Sequence, residues 1–226
     1  MNKLNLTEKE ELTNQEKEVY RTLRTNIAFT GVENQIIAVT SCMPDDGKTM
    51  VSYQIASAFA EEGKRTIYMD ADLRKSVFMK RYHIEGNPKG LSHYLSGHLA
   101  FDDILYETNK ENLYVIPVGR FPSNPTELFS KDRFLAMLHQ LKKDFDYVII
   151  DTPPLGSVID AAVIAKKCDA SMLILSADRT SRSFVRNVIH QLKAANPNFL
   201  GVVLNKVNIK KNGYYYGRRY GGYYGY

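Results

Sequence analysis

An apolar run of strand length breaks into a polar turn near the start of this sequence, and a helical pattern follows the turn. The run covers residues 36–41, the helical pattern begins at Met50, and the turn reads Cys42-Met43-Pro44-Asp45-Asp46-Gly47-Lys48-Thr49. A strand, a glycine-containing turn and a helix N-terminus form a phosphate-binding loop, because backbone N–H groups and the helix dipole favour anions. Lys48 would reach the β- and γ-phosphates of a nucleotide, and the Thr49 hydroxyl would ligate Mg²⁺. The stretch therefore predicts that residues 43–50 contact a nucleotide.

Two carboxylates in the predicted loop, Asp45 and Asp46, place negative charge beside a polyanion. They would oppose nucleotide binding unless they point outward or meet Mg²⁺. Cys42 stands where the usual GxxxxGK[ST] pattern has its first glycine. Because Cys168 is the one other cysteine, there is no disulfide framework, and we interpret Cys42 as a small filler residue in a cytoplasmic protein with reduced thiols.

Apolar runs of strand length alternate with helical patterns along most of the chain. Strands are predicted at residues 35–41, 65–74, 113–118, 146–151, 171–176 and 200–204, and helices at 50–62, 91–95, 126–141, 158–167 and 184–192. Strands that are apolar almost throughout and separated by helices indicate a parallel sheet covered on both faces. We predict an α/β fold of the P-loop NTPase type with a mostly parallel central sheet. No segment approaches the ~20 apolar residues of a membrane span.

Three of the predicted strands end in polar side chains, which are Ser41, Asp70 and Asp151. Parallel α/β sheets bind ligands at the carboxyl ends of their strands. We therefore expect these side chains to converge beside the phosphate-binding loop, with Asp72 two residues beyond Asp70.

The first 30 residues form a segment of their own in this interpretation, ahead of an α/β domain at 31–209. Thr13 and Glu16 are spaced as a capping box that opens a helix. An apolar stripe of Val19, Leu23 and Ile27 runs along this helix, and a charged stripe of Glu18, Arg21 and Arg24 runs beside it. Spacing alone leaves two interpretations of the charged stripe open: an exposed, salt-bridged face, or a contact surface between molecules.

A tail at 210–226 has a different composition from the rest of the chain. Seven of its last 13 residues are tyrosine: Tyr214, Tyr215, Tyr216, Tyr220, Tyr223, Tyr224 and Tyr226. No Asp or Glu follows Asp178, whereas nine Lys or Arg do, and the whole chain carries a net charge of +5. Such a tail cannot build a core and is predicted to be mobile. It could bind single-stranded nucleic acid by stacking, it could be self-adhesive, or its phenols could accept phosphoryl groups.

Taken together, these motifs resemble the bacterial tyrosine kinases of capsular and exopolysaccharide synthesis, in the Gram-positive form whose cytoplasmic kinase is separate from its membrane activator. The resemblance spans nearly the whole chain. It depends on the loop ending in Gly47-Lys48-Thr49, the second acidic motif at residues 67–74, the strand at 148–151 followed by Thr152-Pro153-Pro154, the segment at 123–128 and the tyrosine cluster.

The resemblance implies an ATP-dependent kinase that phosphorylates its own tyrosine cluster. Lys48 and the loop amides would hold the phosphates, and Thr49, Asp72 and Asp151 would order Mg²⁺. Asp70 would accept the proton of the incoming tyrosine, because a phenol with a pKa of ~10 needs a base at neutral pH. Asn205 is a candidate for the adenine edge, with a strand-end cap as the alternative interpretation.

The resemblance also implies partners. It makes Glu18, Arg21 and Arg24 the contact of a homo-oligomeric ring. It implies a membrane-bound activator of the polysaccharide co-polymerase type, whose cytoplasmic tail recruits the kinase to the inner face of the membrane, and a cognate phosphotyrosine phosphatase. No nucleic-acid partner is expected. Two competing functions are a partitioning-type ATPase, which would carry a lysine at the position of Met43, and a nucleotide-regulated scaffold with an inactive loop.

Overall fold

The computed structural model describes residues 2–8 and 11–207, and this part of the chain contains eight strands and eight helices. The strands are β1 (Asn2–Leu4), β2 (Ile36–Ser41), β3 (Thr66–Asp70), β4 (Tyr106–Thr108), β5 (Leu113–Ile116), β6 (Tyr147–Asp151), β7 (Ala170–Ser176) and β8 (Phe199–Asn205). The helices are α1 (Asn14–Ala28), α2 (Lys48–Glu61), α3 (Phe78–Arg81), α4 (Leu91–Leu95), α5 (Pro125–Ser130), α6 (Asp132–Asp144), α7 (Asp160–Ala165) and α8 (Arg182–Ala195).

The eight strands form one sheet in the order β1-β4-β5-β3-β6-β2-β7-β8. Every neighbouring pair is parallel except β4 and β5, which are antiparallel. The central strands β2, β3 and β6 are almost completely buried, as parallel strands covered on both faces must be. The predicted α/β fold with a mostly parallel sheet is therefore confirmed.

The two faces of the sheet support two separate hydrophobic cores. Successive side chains of a strand point to opposite faces, so Ile36 and Ala38 of β2 join one core whereas Ile37 and Val39 join the other. The first core includes residues of α4 to α8, and the second includes residues of α1, α2 and α3. The carboxyl ends of β2, β3 and β6 meet between these layers, where the phosphate-binding loop leaves β2.

Three expectations about the helices need correction. The helix predicted at 126–141 is two helices, α5 and α6, because Lys131 adopts an extended conformation with φ −67° and ψ 152°. The helix after the loop starts at Lys48 rather than Met50. The apolar stripe of α1 is buried only at its C-terminal end, since Ile27 is 3% exposed and Val19 is 62% exposed.

Two three-residue strands, β1 and β4, and the four-residue helix α3 were not predicted from the sequence. Each element is too short for a hydrophobic period to show. The capping box of α1 is present, because Thr13 Oγ1 accepts the N–H of Glu16 and the Glu16 carboxylate accepts the N–H of Thr13. Among the described residues, no helix combines the length and apolar character needed to cross a membrane.

Candidate functional site

The turn after β2 has the backbone of an anion-binding loop. Gly47 adopts a left-handed conformation with φ +92° directly before Lys48, the first residue of α2. A Cβ atom on Gly47 would lie 2.2 Å from Nδ2 of Asn205, so both the backbone angle and the close approach require glycine. The loop therefore runs directly into the N-terminus of a 14-residue helix. Backbone N–H groups at such a helix start bind phosphate favourably.

The two loop carboxylates have different surroundings. Asp45 is exposed, with φ +64°. Asp46 is fully buried, and its Oδ2 accepts the N–H of Met43 at 2.8 Å, which closes the loop on itself. The guanidinium of Arg179 lies 3.7 Å from Oδ1 of Asp46 and compensates its charge. The electrostatic objection raised by the sequence therefore does not apply to Asp46, whereas Asp45 lines the loop cavity.

Three side chains from the C-terminal part of the chain hold the carbonyl groups of the loop. Arg179 donates to the Pro44 carbonyl at 2.8 Å, Asn205 Nδ2 to the Asp46 carbonyl at 2.9 Å, and Lys206 Nζ to the Asp45 carbonyl at 2.6 Å. Because the loop carbonyls accept hydrogen bonds from these side chains, the opposite side of the loop, which carries N–H groups, is available for an anion. Sequence reasoning missed Arg179 and Lys206, which carry no motif, and placed Asn205 at this edge of the site.

Lys48 lies in a nest of carboxylates at the ends of β3 and β6. It is 8% exposed, and its Nζ lies 3.0 Å from Oδ2 of Asp72 and 3.5 Å from Oδ1 of Asp151. Burial disfavours the charged lysine, but the carboxylates of Asp151, Asp72 and Asp70 outweigh burial and raise the pKa of Lys48. The lysine is therefore a permanent cation at the point where the γ-phosphate of a bound nucleotide would lie.

Asp70 is buried more deeply than the sequence implied. It has no exposed surface, and the hydroxyl of Ser76 donates to its Oδ2. Burial and the neighbouring Asp151 carboxylate raise the pKa of Asp70 to about 8. Such a carboxyl group is a stronger base than an exposed aspartate, and its raised pKa lies near neutral pH, where a proton-transfer group works best.

Asp151 has one oxygen held by a hydrogen bond and one that faces the Lys48 ammonium at 3.5 Å. The Tyr68 hydroxyl donates to its Oδ2 at 2.9 Å, whereas Oδ1 is buried without a hydrogen-bond partner among the described residues. Burial raises the pKa of Asp151, and Lys48 together with the hydroxyls of Thr49 and Tyr68 opposes that rise. Tyr68 was not singled out from the sequence, since a tyrosine inside a buried strand is ordinarily a core residue.

These oxygen donors suit Mg²⁺. No group of three or more His, Cys, Asp or Glu within residues 2–8 and 11–207 is arranged to hold a metal ion by itself. Mg²⁺ at a nucleotide site needs only one or two protein ligands, because phosphate and water oxygens complete its shell. The Thr49 hydroxyl, Asp72 and the unpartnered oxygen of Asp151 fit that requirement.

A cavity of about 380 Å³ lies above these groups. Most of the predicted nucleotide residues line it: Pro44, Asp45, Gly47, Lys48, Thr49, Met50 and Asn205, together with Asp72. Of the other predicted site residues, Asp70 and Asp151 lie buried beneath it, whereas Met43 and Asp46 shape the loop from behind. Pro153, Pro154 and Val158 provide an apolar wall.

An ion pair with a buried carboxylate fixes the segment that carries Asp72. Asp160, at the start of α7, is 1% exposed in its side chain and binds Arg74 through Nε at 2.5 Å and Nη2 at 3.0 Å. Thr126 of α5 donates to Asp160 and accepts from Arg74. Asp72 Oδ1 in turn accepts the backbone N–H groups of Arg74 and Lys75. Sequence reasoning missed Asp160, because an acidic residue in a first helical turn is common for other reasons.

The remaining predicted site residues lie away from this cavity. Glu18 and Arg21 pair within α1 at 3.5 Å, both exposed, and Arg24 pairs with Glu62 next to α2 at 3.3 Å. The seven tyrosines predicted to be phosphorylated, Tyr214, Tyr215, Tyr216, Tyr220, Tyr223, Tyr224 and Tyr226, lie outside the described residues.

Comparison with known proteins gives consistent results. Residues 34–200 match the family described as "AAA domain". The sequence is 43% identical over 192 residues to tyrosine-protein kinase CpsD of Streptococcus agalactiae, and these 192 residues cover 85% of this chain and 84% of the relative. The fold is similar to the chimerical protein CapA2B2, with TM-score 0.81 and 28% identity over 92% of this chain and 94% of the other. It is also similar to the kinase domain of the Escherichia coli tyrosine kinase ETK, with TM-score 0.78 and 32% identity over 85% and 77% of the two chains.

Proposed function

The chain belongs to the family of bacterial tyrosine-protein kinases, and on this basis we propose that it transfers the γ-phosphoryl group of ATP to tyrosines of its own C-terminal cluster. The observation that carries the proposal is the convergence of Lys48, Asp70, Asp72 and Asp151 beneath the loop cavity. The cluster at 214–226 supplies the acceptors. Transfer takes place in trans, from one copy of the chain to the tail of another.

Positioning and charge neutralisation account for most of the catalysis in phosphoryl transfer. The loop amides and Lys48 hold the phosphates of ATP, and the Pro44–Met50 side of the cavity orients them. Asn205 contacts the adenine edge. Thr49, Asp72 and Asp151 would hold Mg²⁺, which when bound neutralises charge on the phosphate oxygens.

Asp70 acts as the base in this proposal. The phenol oxygen of the tyrosine forms a bond to the γ-phosphorus while the bond from that phosphorus to the bridging oxygen of ADP breaks. The phenol proton passes to Asp70, whose raised pKa matches the task better than that of an exposed aspartate. The products are phosphotyrosine and ADP.

The cellular role follows from the family. We propose that autophosphorylation regulates capsule or exopolysaccharide synthesis and export. A membrane-bound activator of the co-polymerase type recruits the kinase to the inner face of the membrane, a phosphotyrosine phosphatase reverses the modification, and Glu18, Arg21 and Arg24 join copies into a ring. The presence of CapA2B2, by its title a chimera, among the structural relatives is compatible with a partner for the kinase.

Intact-mass measurement after incubation with Mg-ATP tests the proposal. The wild-type chain should gain several phosphoryl groups, and Lys48→Met should gain none while it keeps its fold, because Lys48 serves phosphate charge rather than a core. Lys64→Met, at an exposed lysine on the loop before β3, is the matched control and should label normally.

Two other outcomes would replace the proposal. Release of ADP without labelling would indicate a hydrolysing ATPase of the partitioning type. Neither ADP nor labelling, even with the activator present, would indicate a nucleotide-regulated scaffold.

A further inference from the structure

Helix α8 carries a stripe of cations along one side. Arg182, Arg186 and Lys193 are exposed, and they fall within about 40° of one another around the helix axis because each residue turns the helix by ~100°. At ~1.5 Å per residue the stripe is about 16 Å long. None of the three side chains forms an ion pair with another described residue. No Asp or Glu follows Asp178 in the sequence, so carboxylates are scarce around this helix.

The stripe lies on the side of α8 that faces β8, at the edge of the sheet. Lys193 Nζ is 5.5 Å from the centre of the Phe199 ring, at the start of β8. Phe184, on the opposite side of the helix, instead packs towards the loop before α7, since a Cβ atom on Gly156 would lie 2.8 Å from its ring. The three cations therefore face β8 rather than the neighbouring helix.

Beside the stripe, β8 leaves two apolar side chains exposed. Val202 pairs with Leu173 of β7 and Leu204 pairs with Leu175, and both leucines contact the first core, on the face that α8 covers. Paired residues point to the same face of a sheet, so Val202 and Leu204 face the side of α8. They are 44% and 50% exposed. We name the cations and these apolar residues together the α8–β8 surface: Arg182, Arg186, Lys193, Val202 and Leu204.

A phosphorylated tyrosine matches both parts of the α8–β8 surface. Its phosphate oxygens accept charge-assisted hydrogen bonds from arginine, often two from one guanidinium. Its ring can cover exposed apolar side chains. The seven tyrosines of the C-terminal cluster provide this chemistry after the proposed transfer, whereas unmodified tyrosines carry no charge for the stripe to bind.

Phosphorylation reverses the sign of the interaction between the tail and the α8–β8 surface. Residues 208–226 contain no Asp or Glu and carry four cations, so the unmodified segment is repelled by the stripe: Lys210, Lys211, Arg218 and Arg219. Each phosphate adds about −1.5 to −2 charges, so about three phosphates outweigh the four cations. The modified segment is therefore attracted to the stripe.

The described chain ends next to this surface. Strand β8 finishes beside the turn that leads from β7 into α8, because Asn205 pairs in register with Ser176. Neighbouring strands lie only ~4.8 Å apart. From Val207 to Tyr214 the chain can span up to about 24 Å, which exceeds the length of the stripe. The tyrosine cluster can therefore reach the α8–β8 surface of its own molecule.

We propose that the α8–β8 surface binds the phosphorylated C-terminal segment, residues 208–226, of its own chain. The inference rests on the proposed function and adds to it a binding site for the product of autophosphorylation. A tail held on this surface is kept away from the acidic catalytic site, and its phosphates are shielded from a phosphatase.

A synthetic segment tests the surface without kinase activity. Fluorescent peptides of residues 208–226, unmodified or phosphorylated at the first three tyrosines, are titrated into full-chain Lys48→Met protein, whose own tail stays unmodified. The phosphopeptide should bind, and the unmodified peptide should not. Addition of Arg182→Gln/Arg186→Gln should weaken binding by at least about tenfold, because each arginine makes charge-assisted hydrogen bonds.

Lys64→Gln/Lys143→Gln in the same background is the matched control. It removes two exposed cations that lie outside α8 and form no ion pair with a described residue. This variant should bind the phosphopeptide as tightly as Lys48→Met alone. Unchanged urea midpoints in both double variants show that a loss of binding is not a loss of fold. Equal weakening by both would indicate general charge attraction and overturn the site.

A photo-crosslinking amino acid at position 202 identifies the occupant. A mixture of light and isotopically heavy protein is labelled with Mg-ATP and then irradiated. Crosslinks to phosphorylated tail peptides should join light with light and heavy with heavy. Crosslinks that join light with heavy would assign the surface to the tail of a second copy and contradict the proposal.

The remaining outcomes are separable. No binding of the phosphopeptide would overturn the α8–β8 surface as its site and leave the kinase proposal standing, because the peptide is made without the enzyme. Binding of phosphatidylglycerol vesicles in its place, lost in Arg182→Gln/Arg186→Gln, would assign the surface to an anionic membrane. No labelling of the wild type by Mg-ATP would overturn the proposed transfer, and with it the occupant, even where the phosphopeptide binds.

Discussion

Single carboxylates in this site differ in what surrounds them, and their proposed roles follow those differences. Asp72 lines the loop cavity and pairs with Lys48 at 3.0 Å. Asp151 keeps one oxygen without a hydrogen-bond partner among the described residues. Asp70 is sealed beneath Ser76, with a pKa raised to about 8. Two of the three groups can serve a metal, and the third is placed for a proton.

Asp70→Asn should lower phosphoryl transfer much more than nucleotide binding. The amide preserves size but cannot accept the phenol proton, so we expect a loss of tyrosine labelling of at least tenfold, in the lower range for general-base catalysis. Stopped-flow labelling and titration with fluorescent ADP measure the two effects, with the exposed Asp102→Asn as control. A tenfold loss of nucleotide affinity with unchanged turnover of bound ATP would assign Asp70 to the metal instead.

The residues that the sequence located are those at the ends of apolar strands. Lys48, Asp72 and Asp151 follow buried strands or a glycine turn, so topology alone brings them together. Tyr68, Ser76 and Asp160 could not be located in this way. Their roles depend on hydrogen bonds between segments far apart in the sequence, such as Tyr68 and Asp151, which are 83 positions apart.

Among the elements, the loop between β6 and α7 packs against the start of the phosphate-binding loop. Leu155 donates its N–H to the Ser41 carbonyl at 2.9 Å. Gly156 lies so close that a Cβ atom there would be 2.1 Å from the Cys42 carbonyl oxygen and 2.8 Å from the Phe184 ring. The close approach couples α8 to the nucleotide site through this glycine.

Gly156→Ala should therefore weaken both stability and nucleotide affinity. Overpacking of this kind costs about 1–3 kcal/mol, and relief of the contact must displace the loop or the Phe184 ring. Urea unfolding and fluorescent-ADP titration measure the two losses. Ser96→Ala, at an exposed position that does not line the loop cavity, is the control; comparable losses in both variants would show that the Gly156 contact is not the cause.

Element boundaries were harder to predict than element types. The core strands were located to within two residues, because each is a dense apolar run, except that the strand predicted at 65–74 ends at Asp70. The break between α5 and α6 was missed, since Lys131 is neither glycine nor proline and its extended conformation depends on tertiary packing. The strands β1 and β4 have three residues each and present no alternation to detect.

For the whole molecule, assembly should depend on the charged stripe of α1. We expect unphosphorylated protein, studied as Lys48→Met, to form a closed oligomer in the presence of activator or nucleotide, and Arg21→Ala/Arg24→Ala to prevent it. Light scattering measures the mass. Glu62→Ala is the control, because it removes the intramolecular partner of Arg24 and leaves both arginines in place. Continued assembly of the double variant would reject the ring contact.

Phosphorylation should favour the monomer. Each phosphate adds about −1.5 to −2 charges at neutral pH. Several would reverse the charge of the four cations of the tail, Lys210, Lys211, Arg218 and Arg219, and repel it from the acidic site. Fully phosphorylated wild type should therefore scatter as a smaller particle than Lys48→Met under the same conditions. Equal masses would contradict this expectation.

The strand order gives the molecule a polarity. The described chain leaves β8 at Lys206 and Val207 beside the phosphate-binding loop, whereas Asp70, the base proposed to receive a tyrosine proton, lies at the end of β3, four strands away. Each copy would therefore be a donor of tail at one end and a receiver at the other. Copies that pass a tail onward in this manner meet through unlike surfaces, and such head-to-tail contacts close into a ring or continue as a filament. In such a ring, every copy would be both the kinase of one neighbour and the substrate of the other.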